Sequence, residues 1–556
     1  MTKTDIYFNL IDVTAKRDTT AEATDKQEFI DVNDFKLEGV TAPKVATLET
    51  DYWKLDGTFE CFLDNPQNTS WGLWSKSMSG SDKKFLVPIV LIFNFSELHS
   101  VIGISFEFNQ YDNSYCTNMN IKYYNGEKLL SDTTVYPDNW RYAYENKVEN
   151  FNKLVLTFYG MNKADRYLKL QSVIHGLIKK FDEDTVIAVN LLEETDLTSN
   201  ELTVNTMDFT IYSSDDDFNI FNPQGIYNTL QKKQQISVIG NINGSEKTMG
   251  VFYLDEWTAE ENKMMSLSTV DAVGLMDGTY FKGGIYSNIT ADELIETVMN
   301  DAGFGYSLDK ELSGIKLSGW LPYCTHREAL QQIAIALGAY VDTSRGGTVK
   351  IKAQPDLDND YVYILNKNRK HTGSKVNLKS YVTGVNLTEH NYEKNTAIEK
   401  LYSDTIDAGS KEIIFDTPVS VSAVTGATLV ESGANYCIVD VETEGTVTIK
   451  GYKYNDNTQI ISVNLDNINA GEKENVLSIT NATLVTGSNS QLVANRILYQ
   501  YQSRIEQTLT FTLDNEVIGG VANVEVFDNT YRKGIITKLE TDLVNGFVTK
   551  AVVIGE

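Results

Sequence analysis

Apolar residues recur at helical spacing in two stretches between residues 284 and 351, inside a chain that otherwise reads as strands. The first stretch begins with Thr290 and Glu293, whose hydroxyl and carboxylate can each satisfy a free backbone N–H group. Gly303 can take the left-handed conformation that ends a helix. The apolar stripe between them consists of Leu294, Ile295, Val298 and Met299. The second stretch repeats this design with Thr325, Glu328, Leu330, Ile333, Ala334, Leu337 and Gly338.

Outside this region, short runs alternate apolar and polar residues, which is the pattern of half-buried β-strands. The predicted fold is mainly β with an α/β insert: an N-terminal jelly-roll sandwich, then a small antiparallel barrel and an α/β domain. The expected units are an arm or lone strand (1–27), the jelly roll (28–185), the first barrel (186–275), the α/β domain (276–370), a second β-rich domain (371–480) and a helix with closing hairpins (481–556).

Two further signals refine the predicted elements. Within the α/β domain, the turn at Arg345-Gly346-Gly347 predicts a hairpin whose return strand covers residues 348–351. Near the C-terminus a third helix is predicted over 488–505, capped by Ser488 or Ser490. Its apolar stripe consists of Val493, Ile497, Leu498, Tyr501 and Ile505. The Asn545-Gly546 pair then predicts a tight hairpin, because both residues tolerate positive φ.

The N-terminal domain resembles the discoidin-like, galactose-binding-like sandwiches in residues 52–57 (YWKLDG), 95–100 (FSELHS), 103–106 (GISF) and 166–170 (RYLKL). In that superfamily, loops at one end often bind sugars, and an aromatic ring can stack on a pyranose. The resemblance makes candidate glycan contacts of Trp53, Trp71, Trp74, Tyr111, Tyr115 and Trp140. The alternative is that most of these rings lie in the core, since tryptophan is usually well buried.

The formal net charge of −28 argues against nucleic-acid binding by the outer surface, because an acidic surface repels phosphate. The same charge could instead serve solubility, or let DNA pass without sticking. Four separated cysteines (Cys61, Cys116, Cys324 and Cys437) predict free thiols and no zinc site or disulfide framework. We expect no signal peptide and no membrane span, and synthesis in a reducing cytoplasm.

No catalytic motif emerges from the sequence. Cys324 and His326 lie two positions apart at a predicted helix start, where their side chains do not face each other. None of the five histidines belongs to an H-E-x-x-H pattern, and no nucleotide-binding glycine loop is present. The run Asp215-Asp216-Asp217 lacks the spaced oxygen ligands that calcium needs and reads as a solvated turn. We therefore expect no enzyme activity, no cofactor and no metal site.

Residues 322–334 (PYCTHREALQQIA) and 338–345 (GAYVDTSR) resemble the middle domain of the baseplate-hub proteins of phage tails. Residues 534–540 (GIITKLE) and 547–551 (FVTKA) resemble the closing hairpin of the same family, and residues 190–556 follow its order of domains. The resemblance implies that 186–275 and 371–480 are two hub-type barrels that mimic the tail-tube subunit. The N-terminal jelly roll departs from the minimal hub and is expected to project outward.

For function, the hub resemblance implies a virion structural protein of a contractile phage tail or a phage-tail-like particle such as a tailocin. Such a hub is a homotrimeric ring in the baseplate that joins the tail tube to the central spike. Its expected partners are therefore the tube protein, the spike and other baseplate proteins, with neither a membrane nor a specific nucleic-acid sequence. The alternative is a carbohydrate-binding tail-tip protein that contacts host cell-wall glycan through the jelly roll.

Overall fold

The computed structural model describes residues 3–11, 15, 18–33, 35, 44–61, 72–213, 232–242, 244–358, 360–468, 471–527 and 529–555. Within these residues the protein is mainly β, with several antiparallel sheets and four helices, and this confirms the predicted mainly β class. Two sequence predictions fall outside the described residues: the glycan candidate Trp71 and the acidic run 215–217.

In chain order the first strands are β1 (Lys3–Ile11), β2 (Thr19–Ala23), β3 (Leu73–Met78), β4 (Lys84–Glu107), β5 (Cys116–Asn125), β6 (Lys128–Val135), β7 (Arg141–Met161), β8 (Tyr167–Leu170), β9 (Ser172–Ile174), β10 (Gly176–Phe181), β11 (Val186–Glu194), β12 (Thr206–Tyr212), β13 (Gln235–Ile242), β14 (Ser245–Ala259) and β15 (Met264–Val270). The α/β region contains α1 (Ala272–Met276), β16 (Tyr280–Phe281), β17 (Gly284–Thr290), α2 (Ala291–Ala302), β18 (Tyr306–Leu308), β19 (Lys316–Leu321), β20 (Cys324–Thr325), α3 (His326–Leu337), β21 (Tyr340–Asp342) and β22 (Val349–Lys352).

The remaining elements are β23 (Val362–Leu365), β24 (Lys375–Leu378), β25 (Gly384–Glu389), β26 (Tyr392–Lys394), β27 (Glu399–Ile406), β28 (Gly409–Ile414), β29 (Val419–Thr425), β30 (Thr428–Ser432), β31 (Tyr436–Val441), β32 (Gly445–Asp456), β33 (Gln459–Asn464), β34 (Val476–Ile479), α4 (Ser490–Gln502), β35 (Ile505–Thr512), β36 (Val521–Phe527), β37 (Thr530–Asp542) and β38 (Val548–Gly555).

Both ends of the chain contribute to one sheet of 13 strands, the largest among the described residues. Its main path is β10-β1-β13-β14-β15-β12-β11-β37-β38-β35-β24, and β36 and β23 branch from β37. Strand β1, which the sequence left open as an arm or a lone strand, is an internal strand paired with β10 and β13. The C-terminal hairpin β37–β38 joins the same sheet through β11.

This sheet follows the alternation that the sequence predicts. In β15, Met265 and Leu267 are buried while Ser266 and Ser268 are exposed, because successive side chains of a strand point to opposite faces. The buried faces of the strands form one continuous core, whose large fully buried rings are Phe8, Phe209, Phe511 and Phe547. The core therefore joins residues from the two ends of the chain.

The N-terminal domain consists of two antiparallel sheets around a second core. The larger sheet has the path β2-β4-β7-β5-β6 with β9 paired to β4, and the smaller pairs β3 with β8. Strand β10, which falls inside the predicted 28–185 domain, pairs with β1 and belongs to the 13-stranded sheet. The first half of β10 also contacts the end of β4, because Ser105 Oγ donates to the carbonyl of Gly176 at 3.0 Å. The N-terminal domain is thus attached directly to the large sheet.

The α/β region confirms the two helices and their caps. Helix α2 begins after Thr290 and α3 after Thr325, and each has the reciprocal bonds of a capping box. Gly303 (φ +78°) and Gly338 (φ +61°) end them in the left-handed conformation. The predicted hairpin is also present, since β21 and β22 pair antiparallel. The sequence did not indicate the short helix α1.

The segment 371–480 distributes its strands over small sheets. A three-stranded sheet has the order β33-β25-β34, a four-stranded sheet pairs β26, β27 and β29 with β32, and a second three-stranded sheet has the order β28-β31-β30. Strand β24, from the start of this segment, pairs instead with β35 of the large sheet. Strand β11 therefore pairs with β12 on one side and with β37 of the C-terminal hairpins on the other, and not with a strand of 371–480.

Two local predictions near the C-terminus need correction. Helix α4 is present, but its N-cap is Asn489 rather than Ser488 or Ser490, and Asn489 makes no side-chain cap bond. Its amide nitrogen instead donates to the carbonyl of Ala336 at 3.0 Å, which ties α4 to the α/β region. In the last hairpin the left-handed residues are Gly546 and Phe547, not Asn545. A tertiary contact with Ala336 decided the N-cap of α4, and the register of the turn decided which residues of the hairpin are left-handed.

Asn435 connects the small sheets formed by residues 384–464 to the α/β region through three hydrogen bonds. Its amide nitrogen donates to the carbonyls of Lys282 (2.8 Å) and Leu321 (2.7 Å), and its oxygen accepts the indole N–H of Trp320 (2.6 Å). We expect Asn435→Ala to lower the free energy of unfolding by about 2–3 kcal/mol, because it leaves buried polar groups without partners. Denaturant unfolding followed by fluorescence measures this loss, and the exposed Asn139→Ala is the matched control. Equal stability of the two variants would contradict the prediction.

Candidate functional site

The structure describes five of the six aromatic residues predicted as glycan contacts. Trp53 is exposed (37%), Trp74 is buried (6%), and Tyr111, Tyr115 and Trp140 are half-buried. Trp74, Tyr115 and Trp140 all pack against the N-terminal core, as the alternative interpretation expected. Trp53 therefore has the ring most accessible to a ligand among these five.

Tyr52, which was not among the candidate glycan contacts, connects two of the candidates. Its ring lies edge-on to that of Tyr111 (centroids 5.8 Å apart), and Tyr52 is the chain neighbour of Trp53. Phe59 completes the group, with its ring 4.7 Å from that of Tyr111. Trp53 and Tyr111 thus lie at one loop cluster, whereas the ring of Trp140 lies under the guanidinium of Arg141.

A buried ion pair lies beneath this loop cluster. Lys169 (2% exposed) pairs with Glu49, and its ammonium group lies 3.5 Å from the ring centroid of Tyr52 and 4.9 Å from that of Trp74. Burial lowers the pKa of Lys169 to about 8, although the carboxylate of Glu49 opposes this shift. Glu49 also accepts the backbone N–H of Tyr167 at 3.0 Å. The pair therefore anchors the loop that carries Trp53 to β8.

A second buried ion pair joins the α/β region to the large sheet. The β21–β22 turn carries Arg345 in a left-handed conformation (φ +57°), and its guanidinium lies 2.7 Å from the carboxylate of Glu193 on β11. Arg345 also contacts the sulfur of Met249 on β14 (3.2 Å). The sequence marked the turn at Arg345 but missed Glu193, because an acidic residue near a strand end gives no local sign of burial.

Further charges line the same junction. Asp342 is buried and lies 3.4 Å from the ammonium of Lys350 and 3.5 Å from that of Lys352. Glu516, in the loop between β35 and β36, is 1% exposed and pairs with Arg369 at 2.6 Å. Buried charges of this kind need partners in a fixed geometry, so they hold the turn in one position on the sheet.

The Glu193 carboxyl should make stability depend on pH. Burial raises its pKa from 4.5 to about 7, and Arg345 only partly opposes this. Because the folded protein holds this proton more tightly than the unfolded chain does, the proton's contribution to stability is fully present below pH 4.5 and is lost as the pH rises through 7. We expect the stability of the native protein relative to Glu193→Gln to fall by about 3 kcal/mol between pH 4.5 and pH 8. Denaturant titrations of both proteins across this range measure it, and a pH-independent difference would contradict it.

An open cavity of about 530 Å³ lies where α4 meets the large sheet. Its wall includes Glu194 and Lys538, which pair at 2.9 Å, together with Asp196, Lys379 and Tyr501. Charged and apolar side chains both line this cleft, and none of the predicted site residues belongs to it.

The Cys324 and His326 side chains have structural partners. Burial, with a smaller effect of Glu328, raises the pKa of the Cys324 thiol to about 12, so the nucleophilic thiolate is disfavoured. The ring nitrogens of His326 contact Thr279 Oγ1 (2.9 Å) and Asp301 Oδ2 (3.0 Å). The described residues contain no group of three potential metal ligands. Nor do they include a helix of the length and apolarity that crossing a membrane requires.

No protein-family model matches this chain, and no curated protein matches it. Among solved structures it is similar to a 43 kDa tail protein of prophage MuSo2 from Shewanella oneidensis (11% identity, 68% of this chain and 95% of that one, TM-score 0.40). It is also similar to a tail protein from Neisseria meningitidis MC58 (11%, 68% and 94%, TM-score 0.42). A third similar structure is the prophage tail protein gp18 from Listeria monocytogenes EGD-e (9%, 68% and 91%, TM-score 0.39). TM-scores below 0.5 describe a distant likeness that assigns no function.

Proposed function

We propose that this chain is a structural hub protein in the baseplate of a contractile phage tail or a phage-tail-like particle. The observation that carries the proposal is a contact between the two stretches that resemble hub proteins. Arg345, at the end of the first stretch, pairs with Glu193, and Glu193 lies opposite Leu539 of the second stretch in the β11–β37 ladder. Two hub-like segments distant in sequence therefore meet at one buried junction.

The proposed hub is a homotrimeric ring that joins the tail tube to the central spike, with other baseplate proteins as neighbours. The work of such a ring is mechanical, and no catalytic residue is assigned. The buried charges at the junction suit this role, because they fix the α/β region on the sheet. The N-terminal domain, fastened to the large sheet through β10 and Ser105, then extends beyond the ring.

Native mass spectrometry of the full chain tests the hub proposal. A trimer at micromolar concentration is the expected result, and negative-stain images should show a ring with threefold symmetry. A monomer that persists at the highest attainable concentration would count against the assembly and therefore against the hub function.

A second candidate function is glycan binding by the N-terminal domain. It is favoured by the exposed ring of Trp53 at a loop cluster that also contains Tyr111. A glycan array of host wall polymers with the full chain tests it. Binding should fall at least tenfold in Trp53→Ala and stay unchanged in Trp140→Ala, whose ring packs against the core under Arg141. Absence of binding to every wall polymer would exclude this function.

A further inference from the structure

One short segment has the opposite charge to the rest of the protein. Residues 366–379 contain no acidic residue, although the chain has a net charge of −28. The cations of this segment are Lys367, Arg369, Lys370, Lys375 and Lys379. We call this segment the basic edge. A concentration of one charge sign against the general charge of a surface is a feature of electrostatically complementary interfaces.

The basic edge forms one margin of the 13-stranded sheet. The basic edge runs along β35. It begins at the β-bridge between Lys370 and Phe511 and continues through the β24–β35 ladder. It ends where the backbone N–H of Lys379 donates to the carbonyl of Arg504 (2.8 Å). On its other side no strand of the described residues is paired with β24. Residues 371–380 are exposed throughout. The backbone groups of this outer side are therefore open to a partner.

Side chains at the basic edge also favour a protein partner. Val376 is 56% exposed and Leu378 68% exposed, and both belong to β24. An open strand edge with exposed apolar residues is a template for pairing with another chain. Arg369 is already paired with Glu516, whereas Lys375 and Lys379 form no ion pair with any described residue. The two lysines nearest the apolar residues are thus available to acidic groups of a partner.

We propose that the basic edge docks on the acidic turn that follows β10 in a second copy of this chain. The proposal rests on the trimeric hub function, because a closed ring joins two different surfaces of each copy head to tail. Strand β10, at the opposite end of the sheet from β24, leads into the turn Asp182-Glu183-Asp184. Asp184 is exposed and offers a carboxylate to Lys375 and Lys379 of the neighbouring copy, whereas Glu183 is already paired with Lys3 of its own chain.

Charge and shape both favour a second copy over nucleic acid as the occupant. Each copy carries 28 net negative charges, so a basic segment on one copy is attracted to its neighbour while the rest of the surface repels phosphate. Backbone groups of an open strand edge and the apolar pair Val376 and Leu378 match another strand or loop. DNA offers neither of these complements.

The experiment compares the full-length chain with Lys375→Glu/Lys379→Glu by native mass spectrometry and analytical ultracentrifugation. The trimer of the variant should dissociate at a concentration at least tenfold higher than the native trimer, because two attractive charges have become repulsive. Lys128→Glu/Lys411→Glu, which reverses two exposed lysines elsewhere, is the matched control and should assemble normally. A chain that also carries Asp184→Lys should regain assembly in part, because a charge on each side of the contact is then reversed, and Glu183 keeps its pair with Lys3.

Each outcome decides between this contact and the function on which it rests. A native trimer that the Lys375/Lys379 variant leaves intact refutes the docking surface and leaves the hub function standing. A monomeric native chain refutes both. Failure of Lys375→Glu/Lys379→Glu/Asp184→Lys to regain any assembly, with an unchanged thermal unfolding curve, refutes the acidic turn as the receiving surface. Binding of duplex DNA by the native chain that Lys375→Glu/Lys379→Glu abolishes would make nucleic acid the occupant and overturn the proposal.

Discussion

Replacing Arg345 by alanine is expected to lower the free energy of unfolding by about 3–5 kcal/mol at pH 8, since it leaves the buried carboxylate of Glu193 without its partner. Glu193 is 1% exposed, so water cannot take the place of the guanidinium. The left-handed turn also loses its contact with Met249. Denaturant unfolding of the full chain, followed by tryptophan fluorescence, measures the loss.

The same variant should be less damaging in acid. Below the raised pKa of Glu193 the carboxyl holds a proton, and a neutral group needs no counter-charge. We therefore expect the cost of Arg345→Ala at pH 5 to be clearly smaller than at pH 8. Lys147→Ala is the control, because Lys147 and Glu149 pair at the surface, where exposed ion pairs contribute little. Equal losses in the control and in Arg345→Ala would show that the Glu193 pair does not hold the junction.

Replacing Lys169 by methionine is expected to destabilise the N-terminal domain by about 3–5 kcal/mol. Methionine keeps most of the side-chain volume but removes the charge that pairs with Glu49, whose side chain is fully buried. The cation also leaves the ring of Tyr52, and such contacts add stability when they are shielded from water. Because this pair anchors the loop that carries Trp53, we expect the fluorescence of Trp53 to change at a lower denaturant concentration than the one that unfolds the large sheet.

A double variant separates charge from packing at this pair. Lys169→Met with Glu49→Gln removes both charges, while the glutamine oxygen can still accept the backbone N–H of Tyr167. We expect the double variant to recover most of the stability that Lys169→Met loses, because buried ion pairs replaced by uncharged groups are often close to neutral. A double variant no more stable than the single one would contradict this account and assign the loss to packing.

Each of the two buried ion pairs holds one part of the protein in place on another. One fixes the α/β region on the large sheet, and the other fixes a loop on the N-terminal domain. Parts held by buried charges resist sliding, since a displaced charge loses its partner in a low-dielectric interior, and this property would suit the proposed hub. Their loss is therefore expected to affect assembly as well as stability.

Local features of this protein were readable from its sequence. The capping boxes at Thr290 and Thr325 and the glycines that end both helices were predicted and are present. Of the predicted stripe of α4, Val493, Ile497, Leu498 and Tyr501 lie in the helix, whereas Ile505 begins β35. Such signals lie within a few positions along the chain, because a helix bonds to itself. The period-two alternation likewise identified strands such as β15, since it depends only on which face is buried.

Other features were decided by tertiary structure alone. Alternation shows that β1 is a strand, but not that it lies between β10 and β13. Nothing local marks Glu193 as buried, and its meeting with Arg345 depends on how the turn after β21 lies on the sheet. The open margin at β24 likewise exists only because the strand order ends there. Sheet neighbours and buried charge partners are distant in sequence, so only the folded chain determines them, whereas the caps, stripes and alternation were already set by the sequence.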